Sequence, residues 1–242
     1  MCIRDRATLT CTRSDALAAS ASYQSITLTV SVSGADVGTY SNSVAVSGGG
    51  GIDNSNNTAT DSTKVVGAPT FMESFSPSSI AINGTSTVTF TLGNPSANPV
   101  MLSGLAFSDT LPAGLTVATP SGAGGTCTGT VAATAGGSSI GLTNGSVAAG
   151  SSCTVTVNVT SAAASAYTNT TSALTAINGP SGPTASATVT VLAPPSTTMA
   201  FATSPIAYGG TTNLTYTITK DVYKRQGPSS RRCYRRAAGG SR

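Results

Sequence analysis

The stretch CTVTVNV, Cys153-Thr154-Val155-Thr156-Val157-Asn158-Val159, alternates apolar and polar side chains without a break. Successive side chains of an extended chain point to opposite faces, so Cys153, Val155, Val157 and Val159 share one face. β-Branched residues at this period predict a half-buried strand. The period returns in SITLTVSV (Ser25–Val32), with Ile26, Leu28, Val30 and Val32 in phase. It returns again in STVTFTL (Ser86–Leu92) and in NLTYTI (Asn213–Ile218). Asn94-Pro95, Leu111–Gly114, Asn144-Gly145 and Asn178-Gly179-Pro180 supply turn signals between such runs. No long stretch carries a helical period. The expected fold is all-β, built of tandem Ig-like antiparallel β-sandwiches, one complete and two partial.

The tandem reading comes from internal matches. Ile26–Val32 aligns on Cys153–Val159 at an offset of 127, and the same offset sets Tyr40-Ser41-Asn42 on Tyr167-Thr168-Asn169. Independently, IAINGTSTVTFTL (Ile80–Leu92) matches IAYGGTTNLTYTI (Ile206–Ile218) at 126. Residues 7–66 are therefore expected to hold the end of a first unit, 68–192 a whole unit, and 196–220 the start of a third. A unit of that length buries roughly two-thirds of its unfolded surface, enough for its own core. Proline at Pro69 and at Pro194-Pro195 interrupts the strand pattern and stiffens the junctions.

Composition needs one excision before it can be interpreted. MCIRDR (Met1–Arg6) and DVYKRQ (Asp221–Gln226) are translations of one nucleotide string in two frames. That string resembles the transposase end sequence used to fragment DNA. Residues 1–6 and 221–242 are expected to be artefact rather than fold. They hold nine of the twelve Lys and Arg. Residues 7–220 keep three cations against six carboxylates, so the formal charge moves from +4 to −3. The basic character that would suggest nucleic acid belongs to the tail, and no nucleic-acid partner is expected. No apolar run is long enough to span a bilayer, so membrane anchoring is expected only through regions outside this chain.

Two groups of motifs resemble known families. TCTRSDALAASASYQSITLTVSV, TYSNSVAVSGGG and DNSNNTATD look like the C-terminal part of the bacterial conserved-repeat domains of unknown function, the DUF-eleven group. SFSPSSIAINGTSTVTFTLGNPSANPV, FSDTLPAGLTVATP and AGSSCTVTVNVTS resemble a sister repeat of the same Ig-like superfamily. The resemblance implies a non-catalytic spacer or stalk unit of a large bacterial secreted or cell-surface protein. Its alternative is an adhesin module that binds host or cell-surface glycan or protein through end loops or a sheet edge. Neighbouring repeats of the same chain are the other expected partners, and the extracellular space or cell surface the expected location.

The chemistry-bearing residues are few. Cys127 and Cys153 lie in the complete unit and are expected to form a disulfide; two small buried thiols are the alternative. The bridge would close a 26-residue loop and contribute about 3 kcal/mol. Cys11 would then have lost its partner upstream. Gly137-Ser138-Ser139-Ile140-Gly141 matches a nucleophile-elbow pattern, but the chain has no His to take a serine proton. No catalytic residue and no enzyme activity are expected. Glu73 and Asp109 are the only acids of the complete unit, with no sign of a shared cleft. Asp109, Pro112 and Gly114 are read as a strand end and its turn. Tyr40 and Tyr167, at one repeat position, are read as structural, buried corner tyrosines, with half-exposed aromatics as the alternative. No cofactor is expected. The candidate ion is calcium, on Asp53, Asn54, Asn56 and Asp61 after the Gly48–Gly51 run.

Overall fold

The computed structural model describes residues 2–5, 8–32, 36–48, 55 and 57–219. Every regular element among them is a strand. Four come first: β1 (Cys2–Asp5), β2 (Thr8–Cys11), β3 (Gly38–Ala45) and β4 (Thr58–Val65). The complete unit follows with β5 (Thr70–Ser76), β6 (Ser79–Ala81), β7 (Thr85–Gly93), β8 (Leu102–Thr110), β9 (Thr116–Val117) and β10 (Gly124–Gly125). It continues with β11 (Thr130–Ala133), β12 (Ser139–Val147), β13 (Ser152–Thr160), β14 (Ser165–Thr170) and β15 (Ser186–Leu192). The hairpin β16 (Ser196–Phe201) and β17 (Leu214–Thr219) ends the described chain.

Two layers enclose the core. One runs β10-β13-β7-β5, with β9 also on β13. The other joins β11-β12-β8 to β14-β15-β6 through bridges Ala106–Thr175 and Asp109–Thr171. The chain changes layer at Pro77: β5 pairs antiparallel with β7, and β6 pairs parallel with β15. The period-two reading holds along β13, where Cys153, Val155, Val157 and Val159 are buried and their polar neighbours partly exposed. Val88, Phe90 and Leu92 of β7 face them, and Phe90 sits 4.9 Å from the Phe107 ring of β8. Each such large side chain contributes roughly 1.5–3 kcal/mol by leaving water.

The flanking hairpins repeat the pairing of the sandwich. β5 and β7 pair Thr70 with Gly93 and Phe75 with Val88. β16 and β17 pair Ser196 with Thr219 and Phe201 with Leu214, the same register at an offset of 126. Likewise β3 and β4 set Gly38 opposite Val65, as β14 and β15 set Ser165 opposite Val191. The fold is thus one complete sandwich with partial units on either side.

Three sequence readings are corrected here. Ile26–Val32 forms no strand, and Ile26, Leu28, Val30 and Val32 are all exposed. Its counterpart β13 is paired along its length with β7, whereas Ile26–Val32 pairs with no strand among the described residues. An alternating segment without a neighbouring strand has nothing to bond its backbone. Asn144-Gly145 makes no turn; it sits inside β12, where Asn144 takes φ 57° at a bulge in the pairing with β8. A residue tolerant of positive φ serves a bulge as well as a hairpin. Cys11 is disulfide-bonded, where the reading had its partner lost.

Candidate functional site

The structure brings together two acids that the sequence left apart. Glu73 on β5, Asp109 on β8 and Asn169 on β14 meet between the layers. Asn169 Nδ2 donates to Glu73 Oε1 at 2.9 Å and to Asp109 Oδ2 at 2.8 Å. Asn169 is fully buried, Asp109 is 2 % exposed and Glu73 is half-buried. Asp109 is therefore more than a strand end before a turn. Each member stands two residues after an inward aromatic: Phe71-x-Glu73, Phe107-x-Asp109 and Tyr167-x-Asn169. Strand periodicity makes this placement, because residues i and i+2 share a face. The signal that could have found the node is a polar residue at an inward phase in three strands.

Burial dominates the electrostatics. It raises the Glu73 carboxyl to about 7; the Asn169 hydrogen bond opposes the shift and the nearby Asp109 charge adds to it. Asp109 is raised for the same first reason, again opposed by Asn169. A carboxyl whose folded pKa exceeds its unfolded one binds its proton more tightly in the fold. Its contribution is fully present below about 4.5 and is lost as pH rises through about 7. In buffer without divalent cations, we expect stability to fall over that window by on the order of 2 kcal/mol, after discounting for Glu73's partial exposure. Glu73→Gln should flatten the dependence and raise the melting temperature at pH 7.5. Denaturant melts at several pH values check this, and an unchanged pH slope in the variant refutes it.

The other predicted residues are spread over the unit. Cys127 and Cys153 form a disulfide with Cα atoms 4.8 Å apart, joining the segment between β10 and β11 to the start of β13. Thr126 and Cys127 both donate their backbone N–H to Thr154 O, at 2.8 and 3.0 Å. Tyr167 is buried; its hydroxyl donates to Ala163 O at 3.0 Å and accepts from Ser161 Oγ at 2.9 Å. The strand is thereby tied to the corner before it. Gly114 sits against that ring in the Pro112–Leu115 turn, where a Cβ would stand 2.9 Å from the Tyr167 hydroxyl. Tyr40 differs: it is 46 % exposed on β3, which among the described residues pairs with β4 alone in a two-stranded sheet.

Asp53, Asn54 and Asn56 lie outside the described residues, and Asp61 is exposed on β4 opposite Asn42. Ser139 of the G-x-S-x-G match opens strand β12 and stands on no strand-to-helix turn. Shallow hollows lie near Thr70 and Asn94, about 310 Å³, and near Ile82 and Pro194, about 400 Å³. Neither is lined by Glu73, Asp109 or Asn169. A buried polar pair between Asn94 and Asn98 fixes the start of the unit. Asn98 Oδ1 accepts from Gly67 N at 2.6 Å, while its Nδ2 donates to Gly67 O at 3.1 Å.

Residues 69–191, spanning β5 to β15, match the family model described as "Domain of unknown function (DUF7933)". The chain belongs to this family. No curated protein matches it. Among solved structures, the DUF7933 chain is similar to a cohesin module from a Clostridium perfringens family 33 glycoside hydrolase. Identity is 13 % over 54 % of this chain and 100 % of that one, with a TM-score of 0.37. It is also similar to BslA, a bacterial hydrophobin, at 19 % identity over 53 % and 97 % of the two chains, TM-score 0.36. A third likeness is to the collagen-binding domain of a Staphylococcus aureus adhesin, at 10 % identity over 50 % and 96 %, TM-score 0.35. In the DUF7933 unit, the node, the disulfide and the tyrosine contact all lie within the matched residues.

Proposed function

We propose that the chain is a piece of a stalk: tandem, non-catalytic spacer units of a bacterial exported or cell-surface protein. The observation that carries this reading is the repeated register, Thr70 opposite Gly93 and Ser196 opposite Thr219 at one offset. Units that each bury their own core add length without adding a site. The Cys127–Cys153 bridge supports an oxidising compartment. The Asn98 clasp on Gly67 and the prolines at 194 and 195 support stiff junctions at the ends of 68–192. The DUF-eleven likeness of residues 7–66 belongs to the same reading. The spacer is favoured over an enzyme because the acid pair sits between the sheets, lines neither of those hollows, and has no His to work with.

Single-molecule extension of the chain tests the reading. A spacer should unfold in a discrete step for the complete unit. Reduction should lengthen that step by about 85 Å, since 26 residues at ~3.5 Å each are released from a 4.8 Å span. An array of glycans and matrix proteins supplies the contrary outcome. Saturable binding to one class would replace the spacer by the adhesin.

A further inference from the structure

Among the described residues, three buried side-chain oxygen or nitrogen atoms have no hydrogen-bond partner: Glu73 Oε2, Asp109 Oδ1 and Asn169 Oδ1. All three are oxygens, and all belong to the one node. A buried acceptor without a donor costs roughly 1–3 kcal/mol, more if charged, and native structures fill such places with water or an ion. Three such atoms on three strands make a site that asks for a positive or donating guest.

We propose that Glu73, Asp109 and Asn169 hold a hard divalent cation, calcium before magnesium, between the two sheets of the complete unit. Two carboxylates carry the charge a divalent ion neutralises, and carboxylate with amide oxygen is the donor set hard cations take. Asn169 is the adaptable ligand. Rotating its amide by half a turn exchanges Oδ1 for Nδ2 with no change of shape. The oxygen then stands where the nitrogen now bridges Glu73 Oε1 and Asp109 Oδ2, within 2.9 Å of both. Glu73 is half-buried, so water has access on its side to fill the remaining positions. Calcium tolerates such an irregular, part-hydrated shell, whereas magnesium demands near-octahedral geometry. The site is independent of the Asp53–Asp61 cluster and of the spacer reading. The hairpin β16–β17 does not share it: at the register position of Glu73 it carries Met199, since Glu73 lies opposite Phe90 and Met199 opposite Tyr216.

The test uses the whole chain, stripped with chelator and titrated with calcium, then magnesium, by calorimetry and thermal melting. One calcium should bind per chain with a rise in melting temperature, and magnesium should bind more weakly. Glu73→Gln and Glu73→Met should weaken calcium binding at least ~10-fold while retaining a cooperative melt. Asp61→Asn should leave binding unchanged. No heat and no thermal shift at ~10 mM calcium, well above the ~10⁻⁴–10⁻³ M range of extracellular calcium modules, would overturn the proposal. So would undiminished binding in either Glu73 variant, or loss of binding in Asp61→Asn, which would move the ion to the other cluster.

Discussion

Reduction of the Cys127–Cys153 bridge should lower the stability of the complete unit by about 3 kcal/mol and its melting temperature by roughly 10 °C. Closing 26 residues removes conformations mainly from the unfolded chain, so the native contacts around Cys153 need not change. The folded side is prepared for the bond: Thr154 O accepts both Thr126 N–H and Cys127 N–H, which holds the Cys127 segment on β13. The reduced unit should accordingly keep its fold and lose only stability. Urea melts of the oxidised chain, the reduced chain and Cys127→Ala/Cys153→Ala check this through the midpoint and the extrapolated stability. A midpoint that does not move on reduction would show the loop already restrained in the unfolded state. It would also remove the main physical argument for an oxidising compartment.

The sequence was most informative where a single strand suffices to make the statement. In β13 the phase of Cys153, Val155, Val157 and Val159 is the phase of burial, because two layers cover one face only. The same rule was readable at Phe71-Met72-Glu73-Ser74-Phe75, where Glu73 shares the inward phase of two phenylalanines. Periodicity gives the face of a side chain but not its neighbour. Glu73, Asp109 and Asn169 are 36 and 60 residues apart, and their meeting depends on how the layers stack and where β5 crosses to β6. Ile26–Val32 fails for the converse reason. Its pattern is as good as that of β13, but a strand is a property of a pair, and no strand among the described residues pairs with it. Tyr40, on a two-stranded sheet among the described residues, lacks burial, whereas its repeat partner Tyr167 has both a second layer and the hydrogen bond.

Asn169→Ala should be the most damaging single polar substitution in the unit, at about 4 kcal/mol. The amide is fully buried and donates to two carboxylates at once, and hydrogen bonds to charged groups contribute about 1.5–3 kcal/mol each. Alanine leaves Glu73 Oε1 and Asp109 Oδ2 facing each other without a donor, with water reaching them only from the half-buried side of Glu73. Breaking a buried charged network by removing one partner costs more than the network contributes, because the remaining groups stay desolvated. The effect should therefore depend on Glu73. In a Glu73→Gln background one charge is gone and the new amide can donate to Asp109, so Asn169→Ala should cost appreciably less. A double-mutant cycle by urea denaturation measures the difference, and residues sharing one network couple by about 0.5–3 kcal/mol. Equal costs in the two backgrounds would mean that Asn169 acts only by filling space beside Tyr167. The three inward polar residues would then be independent substitutions in a sandwich rather than one site.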